Sequence, residues 1–142
     1  MTTGDDLNIV MLVDDDLGDQ MIYKRILKRA GVTAETHYFS LATDALAFLE
    51  DPSARKVDLL FLDINMPMMD GFEFLEAASR NFGADFLDTC VIMLTTSSCP
   101  EDRERALGFP VVRDFYTKPL TVDMVNAAIA LTRAKGTPIP LG

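Results

Sequence analysis

Asp14, Asp15 and Asp63 follow or close apolar runs, Thr95 closes another, and Lys118 stands just after a fifth. Together these residue types suit phosphoryl chemistry. A carboxylate can serve as nucleophile, while an ammonium and a hydroxyl hold phosphoryl oxygens. Three carboxylates in one cleft repel one another. At an effective dielectric near 20 and separations of about 5 Å, each pair costs roughly 3 kcal/mol. Such a cluster calls for a cation. An all-oxygen set with few protein ligands and open positions suits Mg²⁺, with Mn²⁺ as the alternative.

Five apolar runs must bring these residues together: 9–13, 35–39, 58–62, 91–95 and 113–117. A segment with helical spacing follows each, the alternation of an α/β fold with a parallel sheet. The first, third and fourth runs are almost wholly apolar, as strands covered on both faces should be, whereas the second and fifth are mixed and suit edges. If strand one pairs with strands two and three, strand order reverses between one and three. Ligands of open α/β sheets bind in the crevice at such a point, beyond the strand carboxyl ends.

After the first run, Leu17, Met21, Ile22, Ile26, Leu27 and Ala30 predict one apolar helix face, with Gly31 ending it. Ser40 is the expected cap of a second helix burying Ala42, Ala45, Leu46 and Leu49, stopped by Asp51-Pro52. A third helix starts near Gly71 and buries Phe72, Leu75, Ala78 and Phe82. A short fourth has Pro100 in its first turn and Gly108 at its end, and a fifth, 121–133, buries Val122, Val125 and Ile129.

At 142 residues, 49% of them hydrophobic, the chain fits one globular domain. The domain is expected over 7–134, with flexible tails at 1–6 and 135–142 and no room for an output domain. A net charge of −9 disfavours nucleic acid and anionic membranes as partners. No apolar run can span a bilayer and the first residues lack signal-peptide features, so the expected location is cytoplasmic. Cys90 lies in an apolar run and Cys99 follows a loop signal, which suits two free thiols.

Four blocks in order carry a family resemblance: Leu12-Val-Asp-Asp-Asp16, Phe61-Leu-Asp-Ile-Asn-Met-Pro-Met-Met-Asp-Gly71, Met93-Leu-Thr-Thr96 and Tyr116-Thr-Lys-Pro119. The chain resembles the receiver domain of two-component response regulators over about 7–134. The resemblance implies a doubly wound five-stranded parallel sheet, a flavodoxin-like (βα)5 fold with strand order 2-1-3-4-5. It implies that Asp63 accepts the phosphoryl group and that Asp14, Asp15, Asp63 and the backbone carbonyl of Asn65 hold the metal. Thr95 and Lys118 would bind phosphoryl oxygens, Thr95 and Phe115 would form the switch, and the Lys118-Pro119 bond would be cis. The expected function is a single-domain regulator phosphorylated by a sensor histidine kinase or a histidine phosphotransfer protein. A phosphorelay intermediate or phosphate sink would use the same chemistry, and neither makes the chain an enzyme beyond its own phosphorylation and dephosphorylation. One stretch departs from the family: Leu107-Gly-Phe-Pro-Val-Val112 stands where small residues are usual. Its apolar residues Phe109, Val111 and Val112 are candidate contacts of a homodimer.

Blander readings apply to several residues. Asp16 and Asp19 suit capping or solvation at the start of helix one. Asp70-Gly71 is a turn signal, Thr96, Ser97 and Ser98 are loop polar groups, and His37 is a solvated strand residue. Met66, Met68 and Met69 are pliable fillers or contacts. Phe115 is equally an ordinary strand aromatic. Two other functions share features with this chain. A haloacid-dehalogenase-type phosphohydrolase needs an Asp where Asn65 stands, and a flavodoxin-like electron carrier needs a phosphate loop where Asp14, Asp15 and Asp16 would repel FMN.

Overall fold

The computed structural model describes residues 7–51, 56–83, 86, 88–96 and 99–133. The tail expectations at 1–6 and 135–142, together with Pro52, Ser97 and Ser98, lie outside them. Five strands form one parallel sheet: β1 (Ile9–Val13), β2 (Glu35–Phe39), β3 (Leu59–Asp63), β4 (Cys90–Thr95) and β5 (Val112–Thr117). Their spatial order is β2-β1-β3-β4-β5, so the two mixed runs are indeed the edges and strand order reverses between β1 and β3. The intervening helices are α1 (Leu17–Arg29), α2 (Ala42–Glu50), α3 (Gly71–Phe82), α4 (Pro100–Leu107) and α5 (Val122–Arg133).

The two-residue period of a strand sorts the core into two layers. Ile9, Met11 and Val13 of β1 face one way, with Leu60 and Leu62, and pack with residues of α2, α3 and α4. Val10 and Leu12 face the other, with Leu59 and Phe61, and pack with Tyr23 and Leu27 of α1 and Val125 and Ile129 of α5. Each fully buried aliphatic side chain contributes about 1.5–3 kcal/mol. The three central strands are buried throughout, which makes the sheet a firm platform for whatever its ends carry.

Four sequence expectations need correction. β3 starts and ends one residue later than 58–62, because the Asp58 carboxylate turns aside to accept the backbone N–H groups of Asn8 (2.7 Å) and Ile9 (3.2 Å). The N-cap of α2 is Leu41, without a side-chain cap, rather than Ser40. Val111 and Val112 are buried and Phe109 packs on the same core, its ring stacked on Phe72 at 6.4 Å. Val111 and Val112 are thus core residues rather than exposed contacts, while Phe109 is half-buried.

The largest correction concerns α1. Ile26, Leu27 and Ala30 of the expected face do pack on the core, but Leu17 and Met21 are 66% and 63% exposed and Ile22 is 40% exposed, and Gln20 and Tyr23 are buried in their place. Positions 20, 23 and 27 form an i, i+3, i+7 stripe of their own. Polar partners select it: Gln20 Nε2 donates to the Asp14 carbonyl (2.9 Å) and the Tyr23 hydroxyl to Asp14 Oδ2 (2.6 Å). Satisfying a buried carboxylate outweighs covering three aliphatic side chains, because an unpaired buried charge costs several kcal/mol.

Candidate functional site

Asp14 extends the β1 edge by one residue, its N–H donating to the Phe39 carbonyl at 3.0 Å. That backbone bond aims the side chain into the crevice beside β3. The carboxylate is 1% exposed and fully engaged. Oδ1 accepts the N–H of Asp16 (2.9 Å), and Oδ2 accepts both the Tyr23 hydroxyl and Lys118 Nζ (2.7 Å). Asp15, next along, is exposed.

Asp63 closes β3 opposite Leu94, and the following N–H, that of Ile64, donates to the Leu94 carbonyl (3.1 Å). The loop beyond it is tightly folded. Gly71 N–H returns to the Ile64 carbonyl (2.8 Å), and Met68 adopts φ +69°, a left-handed conformation uncommon outside glycine. A Cβ at Gly71 would lie 2.6 Å from the Asp63 carbonyl oxygen, so only glycine lets α3 start this close to the acidic residue. Asp70 is more than a turn residue: it caps α3, accepting from Glu73 N–H (2.8 Å), while Glu73 accepts from Asp70 N–H (2.9 Å).

Lys118 follows β5, and its N–H donates to the Thr95 carbonyl at 2.7 Å, which couples the ends of β4 and β5. The Lys118-Pro119 bond is cis. Lys118 Nζ reaches three carboxylates: Asp14 Oδ2 at 2.7 Å, Asp19 Oδ2 at 2.8 Å and Asp63 Oδ1 at 3.3 Å. Thr95 is fully buried at the last position of β4. Phe115 is buried in the core layer beneath α4, with the Arg103 guanidinium 6.0 Å from its ring centre. Asn65 is exposed two residues past Asp63, and Thr96 is exposed one past Thr95.

The charges explain the chemistry of this crevice. Burial raises the Asp63 pKa, repulsion from Asp14 adds to it, attraction and hydrogen bonding from Lys118 oppose it, and Asp15 raises it again; the result is about 6. At neutral pH Asp63 is mainly carboxylate, and therefore nucleophilic, but it is held at an energetic disadvantage. Burial alone would lower the Lys118 pKa, yet hydrogen bonds to Asp14 and Asp19 and the charges of Asp63 and Asp14 raise it, so the ammonium stays charged. Tyr23 is raised by burial first and by its bond to Asp14 second, so it remains a donor.

One ligand oxygen each from Asp14, Asp15 and Asp63 lie within 4.8 Å of one another. Lys118 is the counter-charge to two of these three and to Asp19 beside them. A small hard cation fits that donor set, since oxygen ligands at short range are what Mg²⁺ and Mn²⁺ take.

The structure thus brings Asp14, Asp15, Asp63 and Lys118 together, sets Thr95 beside the Lys118 backbone, and leaves Asn65 on the adjoining loop. Phe115 lies in the core beneath α4. Sequence reasoning gave Asp19 a capping or solvated role, where the structure pairs it with Lys118, and missed Gln20 and Tyr23, whose signal was the 20, 23, 27 stripe that opens with two polar residues. His37 is half-buried rather than solvated, bonded to Glu35 (2.6 Å) and tilted against Phe48.

Comparison with known proteins points one way. A family model for the response regulator receiver domain matches residues 10–130. The cyclic di-GMP phosphodiesterase response regulator RpfG of Xanthomonas campestris is 33% identical over 114 residues, which cover 80% of this chain and 28% of RpfG. The chain therefore spans well under half the length of that curated relative. A two-component response regulator from Cytophaga hutchinsonii superposes with a TM-score of 0.84 at 23% identity, covering 89% of this chain and 97% of that one. The Mn²⁺-bound form of response regulator Rcp1 superposes at 0.70 with 24% identity, covering 95% and 99%. These two likenesses bear on the fold.

Proposed function

The chain belongs to the response regulator receiver domain family of two-component signalling, and on that premise we propose that Asp63 is its phosphoacceptor. The observation that carries the proposal is the position of Asp63 at the crevice where strand order reverses, within reach of Lys118 and two further carboxylates. An Asp63 carboxylate oxygen attacks the phosphorus of a phosphohistidine. The O–P bond forms as the P–N bond breaks, and the electron pair leaves on the imidazole nitrogen, which takes up a proton. Lys118 neutralises charge on the transferred oxygens and Thr95 donates its hydroxyl to one of them. Asp14, Asp15, Asp63 and the Asn65 carbonyl would hold Mg²⁺, which screens phosphoryl charge from the carboxylates.

The donor is a sensor histidine kinase or a histidine phosphotransfer protein. The exposed strip Leu17, Met21 and Ile22, on the helix that borders the cleft, supports docking of such a partner there. The output is a change in protein–protein contacts, with Thr95 and Phe115 as the moving parts, rather than turnover of a substrate. We place the protein in the cytoplasm; among the described residues, no helix is long and apolar enough to cross a membrane.

The test is to incubate wild type and Asp63→Asn with Mg²⁺ and acetyl phosphate and weigh the intact protein. Uptake of one phosphoryl group by wild type alone is the expected result. An unchanged wild-type mass refutes the reading, and equal uptake by both proteins moves the acceptor elsewhere.

A further inference from the structure

Lys118 has three N–H donors, and their distribution is uneven. Two are engaged on the α1 side, at 2.7 Å to Asp14 Oδ2 and 2.8 Å to Asp19 Oδ2, while Asp63 Oδ1 is at the longer distance of 3.3 Å. A phosphoryl group on Asp63 adds three acceptor oxygens that need this same ammonium. Accepting on the reading of Asp63 above, we infer that Asp19 is a positioning residue that competes with the phosphorylated Asp63 for Lys118.

Asp14 would be the weaker competitor with a cation in the acidic cluster, because its carboxylate is one of the three that would share their charge with that cation. Asp19 stands outside that trio and keeps its full charge for Lys118. Its position is set locally. Asp16 caps α1 by accepting the Asp19 N–H (3.1 Å), which places Asp19 in the first helical turn with its side chain toward the crevice. The Asp19 side chain is 28% exposed and that of Lys118 10%, so the pair is partly shielded from solvent and holds better than a surface ion pair. Asp19 therefore holds Lys118 toward α1 and draws the equilibrium toward the unphosphorylated arrangement, in which Asp63 has the longest of the three contacts.

Beryllium fluoride, a tetrahedral phosphoryl mimic, tests this when titrated with Mg²⁺ into wild type, Asp19→Asn, Asp19→Glu and Asp16→Asn and followed by calorimetry. Removing the competitor is expected to tighten binding in Asp19→Asn roughly three- to tenfold. Asp19→Glu, which keeps the charge, is expected to restore the wild-type affinity to within about twofold. Asp16→Asn removes a neighbouring charge that has no contact with Lys118, and Asn caps a helix as well as Asp, so its affinity is expected to stay near wild type. A merely structural Asp19 predicts unchanged or weaker binding in Asp19→Asn, and that result overturns the inference. Equal tightening in Asp16→Asn and Asp19→Asn also overturns it, since the general field would then suffice. Should Asp19→Asn not fold, Asp19→Ser removes the same charge at a position where helices accept serine. Wild type that binds the mimic while Asp19→Asn gains nothing sinks only the Asp19 inference; wild type that takes up neither the mimic nor acetyl phosphate sinks the receiver reading with it.

Discussion

Asp63→Asn is expected to stabilise the metal-free protein at neutral pH while abolishing phosphoryl uptake. The carboxyl pKa is about 6 in the folded protein against an ordinary 3.8, so the folded state binds this proton more tightly than the unfolded state does. A raised carboxylate pKa means that stability falls as pH rises between the two values. The gap corresponds to roughly 2–3 kcal/mol, lost in full above pH ~7 and regained as pH falls through ~4. Asp63 is 5% exposed, so solvent screening takes little from this figure. Asparagine has the shape of the protonated acid and carries no charge, so the variant escapes the penalty. The assay is urea unfolding of both proteins in a chelator at pH 7.5 and pH 4.5. The variant should lead by up to ~3 kcal/mol at the higher pH, and the lead should shrink toward zero at the lower. Added Mg²⁺ should narrow the gap at pH 7.5, because the cation binds the three-carboxylate cluster of the wild type more tightly. A variant no more stable than wild type at pH 7.5, or a gap that does not change with pH, refutes the account of Asp63 as a disfavoured buried charge.

Three other substitutions probe the supports of the site. Gly71→Ala places a Cβ 2.6 Å from the Asp63 carbonyl oxygen, so thermal unfolding should show a loss of about 1–3 kcal/mol and acetyl phosphate labelling should slow. Tyr23→Phe leaves Asp14 Oδ2 without its 2.6 Å hydroxyl donor, and denaturant unfolding should report a cost of about 1–3 kcal/mol. Leu17→Ser and Ile22→Ser alter exposed side chains of α1 and should leave stability within about 0.5 kcal/mol of wild type. Those two should slow labelling by a phosphorylated kinase yet leave labelling by acetyl phosphate unchanged, and equal slowing with both donors would count against α1 as the docking face.

Strand positions were legible because periodicity and apolar runs report directly on burial. The edge positions of β2 and β5 were readable from their mixed composition, and the strand order places them there. The convergence of Asp14, Asp63, Thr95 and Lys118 at one end of the sheet was readable because each stands at the end of an apolar run. Less legible was anything decided by a single polar contact. Asp58 shortens β3 at its start through backbone bonds to Asn8 and Ile9, and Ser40 was the best residue type for a cap that the chain does not use. Val111 and Val112 look like surface contacts in a sequence window because the core layer beneath α4 that buries them is a tertiary feature.

Helix α1 shows how such errors carry functional information. A reading that maximises apolar burial turns Leu17, Met21 and Ile22 inward and leaves Asp19, Gln20 and Tyr23 in solvent. The protein does the reverse: the buried Asp14 takes the Tyr23 hydroxyl on its carboxylate and Gln20 Nε2 on its backbone carbonyl, two donors that this face of α1 supplies. Two consequences follow from the one rotation. The polar stripe reaches the crevice, where Asp19 meets Lys118 and Tyr23 meets Asp14. The apolar stripe is turned out on the same helix, where the phosphohistidine donor proposed above would dock. Orienting the acidic centre and exposing a hydrophobic face next to it are thus a single packing decision. A substitution that weakens the Tyr23–Asp14 bond is therefore expected to disturb the site and the docking face together, whereas one at Leu17 disturbs the face alone.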